Sequence, residues 1–123
     1  MHLDTSFLIL ALAGSSSEGA RLRHWLSRNE PLGISAVAWS EFCCGPLPPG
    51  AEDLARAVVG SIVPVGAAAA ERASVLFNAT GRRRGSMMDC LIAACAIEAD
   101  VAVATSNVAD FARFVPLGLR LPG

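Results

Sequence analysis

The chain contains no lysine and only two histidines, His2 and His24, and none of its four cysteines forms a Cys-x-x-Cys pair. Each absence removes a class of chemistry. With so few nitrogen and paired sulfur ligands, a structural zinc site is not expected. A cysteine nucleophile needs a histidine nearby, and the sequence sets none beside Cys43, Cys44, Cys90 or Cys95. All four read as small buried apolar residues in a reducing compartment. A receiver domain needs a late lysine. An aspartyl phosphatase needs a second acid two residues after its nucleophile, and Ser6 stands there after Asp4. An excess of one charge is also lacking, since ten arginines face eleven acids for a formal net charge of −1. No global field draws the chain to nucleic acid or to an anionic membrane. Any phosphate contact falls to a local patch or to metal ions, and arginine suits such a patch.

Long hydrophobic runs are missing too. Residues 7–13 are apolar, but the run is at the lower limit for a signal core and Asp4, not a basic residue, precedes it. Residues 87–105 are interrupted by Asp89, Glu98 and Asp100. No transmembrane span is expected, and the chain reads as cytoplasmic.

What is present is apolar. Of 123 residues, 53% are hydrophobic and 17% charged, which fits one well-buried domain over residues 1–123 rather than a disordered chain. A mean hydropathy of +0.47 is high for so short a chain, so a homodimer, a partner chain or both is expected to cover part of the surface.

The pattern alternates short strands with helices, which argues for α/β architecture with a parallel sheet. Strands are expected at residues 1–4, 32–35, 61–65 and 101–105, with a last edge strand at 115–117. Helices are expected at 5–13, 18–28, 36–44, 51–59, 66–80, 86–99 and 108–113. Ser15 and Glu18 stand in capping-box spacing before the second helix.

Against this scheme five polar residues fall at four comparable places. Asp4 ends the first strand, Glu41 lies in the helix after the second, and Asp89 lies in the first turn of the long C-terminal helix. Asn107 and Asp110 follow the last strong strand. Ligands of open parallel sheets bind beyond the carboxyl ends of the strands, and right-handed crossovers bring these segments toward one such edge. Carboxylates sharing a pocket repel one another, and a hard divalent cation such as Mg²⁺ or Mn²⁺ reverses the penalty. One or two such ions can activate water and hold a phosphodiester in line, with no need of the His, Cys or Lys this chain lacks. Each acid also has a plainer reading. Asp4 could cap the helix at Thr5, Ser86-Met-Met-Asp89 is a capping box, and Asn107-Val-Ala-Asp110 has the same spacing. Glu41 is the only charge among residues 35–44, amid Val37, Trp39 and Phe42, where a carboxylate needs a cation or a hydrogen-bond partner. Glu98 falls on the helix face opposite Asp89, whereas Ala93 and Ala96 share the Asp89 face. Arg82, Arg83 and Arg84 could bind RNA phosphates at the mouth of such a pocket, or simply stabilise the end of the preceding helix. Helices carrying Phe7, Trp25 and Trp39 are expected to offer a groove to an amphipathic partner helix.

In Leu3-Asp4-Thr5-Ser6, Ser40-Glu41-Phe42, Asp89-Cys90-Leu91-Ile92-Ala93-Ala94 and Thr105-Ser106-Asn107-Val108-Ala109-Asp110-Phe111, the chain resembles the PIN domain. Within that family it looks like the VapC-type toxins of bacterial toxin–antitoxin pairs. The resemblance implies a three-layer α/β/α fold with a central, mostly parallel sheet of four to five strands. It implies Mg²⁺- or Mn²⁺-dependent endonucleolytic cleavage of RNA, a homodimer, and inhibition by a cognate antitoxin. Asp4, Glu41 and Asp89 would be metal ligands and Asp110 the fourth acid. Thr5 or Ser6 and Thr105 would support the site through hydrogen bonds. Many relatives carry an acid where Asn107 stands, so the chain departs from the pattern there. A non-catalytic module that keeps the fold and sequesters RNA or a protein partner is the competing reading.

Overall fold

The computed structural model describes residues 1–122. Four short parallel strands, β1 (His2–Leu3), β2 (Gly33–Ser35), β3 (Ser61–Val63) and β4 (Val103–Ala104), pair in the order β3-β2-β1-β4. The register sets His2 against both Gly33 and Val103, and Ile34 against Ile62. Strands in such a sheet are covered on both faces and read as apolar runs. Accordingly Leu3, Ile34, Val103 and Ala104 are all fully buried. Seven α-helices flank this sheet among the described residues, giving the expected α/β/α layers. They are α1 (Thr5–Leu12), α2 (Ser17–Ser27), α3 (Ala36–Cys44), α4 (Ala51–Val58), α5 (Ala67–Ala79), α6 (Met87–Glu98) and α7 (Val108–Ala112).

The helix that matters most for the site is α6. Cys90, Ile92, Ala93, Ala94, Cys95 and Ala96 are all buried in it. A helix apolar around most of its circumference must lie inside the fold. Its small residues let α5 approach with Ala69, Ala73 and Leu76. The acid at its tail, Glu98, pairs with Arg72 of α5, on the side away from Asp89 as expected. Phe7, Phe42, Phe111 and Phe114 fill the core between the layers.

Several local expectations are corrected. Residues 115–117 form a 3₁₀ turn, not an edge strand. Pro116 cannot donate to a ladder, and Gly118 at φ 113° turns the chain back. The outer edge of β4 is met instead by the Arg120 carbonyl, which accepts from the Val103 N–H at 3.0 Å. Helix α2 is capped by Ser16, whose Oγ accepts from the Gly19 N–H, rather than by Ser15. Cys43 and Cys44 are exposed at the end of α3, where the helix surface turns from the core. Only Cys90 and Cys95 are buried.

Candidate active site

Each acid arrives by a local device. Strand β1 stops at Asp4 because the Asp4 N–H closes the ladder on the Ala104 carbonyl at 2.9 Å and α1 begins at once. Asp4 occupies the N-cap position of α1, yet its carboxylate makes no capping bond. It is 96% buried and accepts from Ser6 Oγ and Thr105 Oγ1, both at 2.8 Å and both on Oδ2. Thr105 Oγ1 in turn accepts from the Asn107 N–H at 3.0 Å, and Ser6 Oγ accepts from the Ser106 N–H at 3.2 Å. Backbone donors therefore fix both hydroxyls, and both hydroxyl protons point at one carboxylate oxygen. The other oxygen, Oδ1, takes neither.

Glu41 is set by the direct run of β2 into α3, where Ser35 Oγ accepts from the Ala38 N–H and fixes the start of the helix. The Thr5 hydroxyl donates to the Ala38 carbonyl at 2.8 Å and reaches Glu41 Oε1 at a marginal 3.5 Å. Burial pushes the Glu41 carboxyl above its ordinary range, the negative charges of Asp4 and Asp89 push it further, and Thr5 offsets part of this. Asp89 stands in the first turn of α6, where the helix dipole favours an anion. The capping box expected there does not form, because Ser86 Oγ donates to the Arg83 carbonyl instead. Burial and then the Asp4 charge raise the Asp89 carboxyl. Arg113 lowers it, Asp110 raises it again, and Arg83 lowers it.

Asp4 follows β1, Glu41 lies in the helix after β2, and Thr105 after β4 bonds Asp4, so these segments meet beyond the carboxyl ends of the strands. Asp4 is near enough there to act on Glu41 and Asp89, and Asp110 on Asp89. Asn107 is exposed at the N-cap of α7 and makes no side-chain cap, so it contributes its backbone N–H to Thr105. Arg82, Arg83 and Arg84 are exposed on the turn before α6. Arg82 is engaged elsewhere, over the Phe77 ring at 5.5 Å and on Asn78. Arg83 faces the acids closely enough to act on Asp89.

Sequence reasoning missed Arg113. Its Nη2 lies 3.8 Å from Asp89 Oδ2, and its guanidinium stacks over the Phe114 ring at 4.7 Å. The available signal was its place three residues after Asp110, one turn on, as a lone cation between Phe111 and Phe114.

Among the described residues no three His, Cys, Asp or Glu side chains are already grouped as ligands of one ion. The donor set still fits a hard divalent cation in kind. It is made of carboxylate oxygens that repel one another across a partly desolvated site, and a cation would relieve that repulsion.

The PIN domain family model matches residues 1–115, and the chain belongs to that family. PIN domains are generally nucleases and typically use divalent metals. Among solved structures, the chain is similar to a chain of a toxin–antitoxin complex from Klebsiella pneumoniae. That match has 25% identity and a TM-score of 0.72 over 90% of this chain and 89% of the other. It is also similar to a chain of FitAcB from Neisseria gonorrhoeae, with 22% identity and a TM-score of 0.69 over 91% of each chain. A chain of VapBC2 from Rickettsia felis, bound to a DNA fragment from their promoter, matches with 19% identity and a TM-score of 0.69 over 99% and 98%. The last two likenesses speak to the fold alone. No curated protein matches the chain.

Proposed function

We propose that this chain is a Mg²⁺- or Mn²⁺-dependent endoribonuclease that acts as the toxin of a toxin–antitoxin pair and is neutralised by a cognate antitoxin. One observation carries the reading. Three carboxylates from segments far apart in sequence are set against one another at the carboxyl end of the sheet, where burial and like charge raise two of them. A fold retains such self-repulsion where a ligand relieves it. Asp4, Glu41 and Asp89 would hold the cation, and Asp110 would add a fourth charge at the rim. A bound divalent ion would supply Lewis acidity to a water and to the scissile phosphate.

The chain's own part is positioning. Ser6 and Thr105 hold Asp4 in one rotamer with Oδ1 open, and Thr5 ties α1 to α3 beside Glu41. Arg83 and its neighbours Arg82 and Arg84 would meet RNA phosphates beside the acids. An antitoxin helix would lay its apolar face along the cleft of about 180 Å³ lined by Ile9, Leu12, Phe42, Leu47 and Pro48. That cleft lies against α1 and α3, two of the three helices expected to offer a groove, while Phe7, Trp25 and Trp39 themselves do not line it. Phe7 is fully buried under Trp25, and Arg21 and Arg56 cover the two tryptophans. Assembly as a homodimer and residence in the cytoplasm complete the reading.

The competing reading is a non-catalytic module that sequesters RNA or a protein. Cleavage of a panel of RNAs with Mg²⁺ or Mn²⁺, with a chelator, and with Asp89→Asn separates the two. Metal-dependent cleavage that falls at least ~100-fold in the variant is expected. Cleavage indifferent to chelator and variant would overturn the metal mechanism. RNA binding without cleavage would favour the module. Unpartnered expression should arrest growth, and Glu41→Gln should not.

A further inference from the structure

Arg113 is held in an unusual state. Its Nε and Nη2 are buried without a hydrogen-bond partner, and the face of its guanidinium rests on Phe114. Leaving buried N–H groups unpaired is costly, so the position needs a compensating attraction. The compensation is the field of the acids. Asp89 Oδ2 lies 3.8 Å from Nη2, close enough for an ion pair and too far for a hydrogen bond. The pair therefore supplies charge to Asp89 without consuming its lone pairs. Both partners are shielded, with side-chain exposures of 16% for Arg113 and 35% for Asp89. The attraction is correspondingly less screened than at a surface pair. Among the described residues no other salt bridge involves an acid of the site.

We propose that Arg113 is a positioning residue acting through Asp89, a resident counter-charge that stands in for the cation while the site is ion-free and yields to it on binding. The inference rests on the metal-dependent reading above. Arg113 touches no reacting atom. It offsets the charge of the Asp89 carboxylate without occupying its oxygens, and so sets how strongly the site attracts a divalent ion. A permanent positive charge beside a cation site weakens that attraction, so removing it should tighten binding.

The test uses Mn²⁺ alone, titrated calorimetrically into the full chain and into Arg113→Met and Arg113→Lys. Methionine keeps apolar contact with Phe114 and removes the charge. Lysine keeps the charge. Mn²⁺ should bind about tenfold tighter to Arg113→Met and within about threefold of wild type to Arg113→Lys. A merely structural role would leave Mn²⁺ affinity unmoved or would weaken it in both variants, and either result overturns the proposal. A second measurement needs no metal. In ion-free protein, Arg113→Met should lower Tm by about 5 °C in the wild-type background and by less than half as much in Asp89→Asn. Equal losses in the two backgrounds would sink the counter-charge role. If wild type binds no Mn²⁺, the metal reading fails, and this cycle still decides whether Arg113 acts through Asp89.

Discussion

The two ends of the sheet handle charge in opposite ways. At the amino end, opposite charges meet in water. Arg120 Nη2 pairs with Asp100 Oδ1 at 3.2 Å, with side chains 60% and 95% exposed, and the Met1 ammonium donates to the Pro31 carbonyl at 2.9 Å. At the carboxyl end, like charges are drawn together and partly buried, with Arg113 in a salt bridge to Asp89. A hollow of about 340 Å³ lies at the amino end, lined by Met1, Glu30, Asp100 and Arg120, so that end too offers a cavity. Charge points the other way. Exposed opposite charges cost little and contribute little, so nothing functional is needed to explain them. Buried like charges destabilise the fold in proportion to their isolation, and they persist where a ligand repays the strain.

The contrast breaks most visibly in activity. Asp4→Asn keeps the shape and an acceptor for Ser6 and Thr105 but removes the charge. RNA cleavage should fall at least ~100-fold, about 2.7 kcal/mol in the barrier. Asp100→Asn at the opposite end should cleave as wild type does. Similar losses in both would erase the functional difference between the ends.

The two ends also oppose each other in pH. Burial, and then the neighbouring chain-terminal ammonium, lowers the His2 imidazole to about 4. Its folded form stays neutral while the unfolded chain takes up a proton near pH 6.5. Stability from His2 is thus complete above about pH 6.5 and is lost as pH falls toward about 4. After discounting for partial solvation the loss is about 2 kcal/mol. Glu41 and Asp89 run the other way. Their raised carboxyls bind protons more tightly folded than unfolded, so stability is lost as pH rises from the ordinary carboxylate range through the raised values. Urea titrations of ion-free protein across pH 4–8 should show His2→Phe losing the decline that accompanies falling pH, while the decline that accompanies rising pH through the raised carboxyls remains. An unchanged acid limb would refute the His2 assignment.

Why some of this was legible in sequence and some was not follows from range. The helix over residues 36–44, the apolar run of α6 and the strand before Asp4 are short-range patterns, and they carry the acids to their elements. The Asp-Thr-Ser and Thr-x-Asn-x-x-Asp motifs named the hydroxyls that hold Asp4. Residues 115–117 misled because an apolar triplet reads as a strand until Pro116 and Gly118 are weighed. The capping boxes at Ser15 and Ser86 had the right letters, but Ser16 offered the better geometry in one case and Arg83 took the hydroxyl in the other. Arg113 was invisible for a deeper reason. Its meaning depends on α7 folding back beside Asp89, 24 residues earlier, and no local period encodes that contact.

A smaller effect sharpens the stability side of the contrast. Glu41→Gln removes one of the repelling charges and keeps the side chain's volume. Ion-free protein should gain about 1 kcal/mol at pH 7, read as a higher urea midpoint at unchanged m-value, while RNA cleavage is lost. Added Mn²⁺ should stabilise wild type and leave Glu41→Gln nearly unmoved. A destabilised variant would mean that Glu41 is satisfied as it stands, and the carboxyl end would lose its claim to stored repulsion.

The smallest effect belongs to the amino end. Asp100 sits at φ 55°, a left-handed conformation that asparagine tolerates as well as aspartate does. Asp100→Asn therefore isolates the charge of the Arg120 pair from any backbone cost, and Arg120 keeps its bond to the Asp100 carbonyl at 2.6 Å. The change in stability should be under about 0.5 kcal/mol and should vanish in 0.5 M salt. A loss several times larger would show that this end, too, depends on its charges, and solvent exposure would then no longer separate an ordinary ion pair from a site.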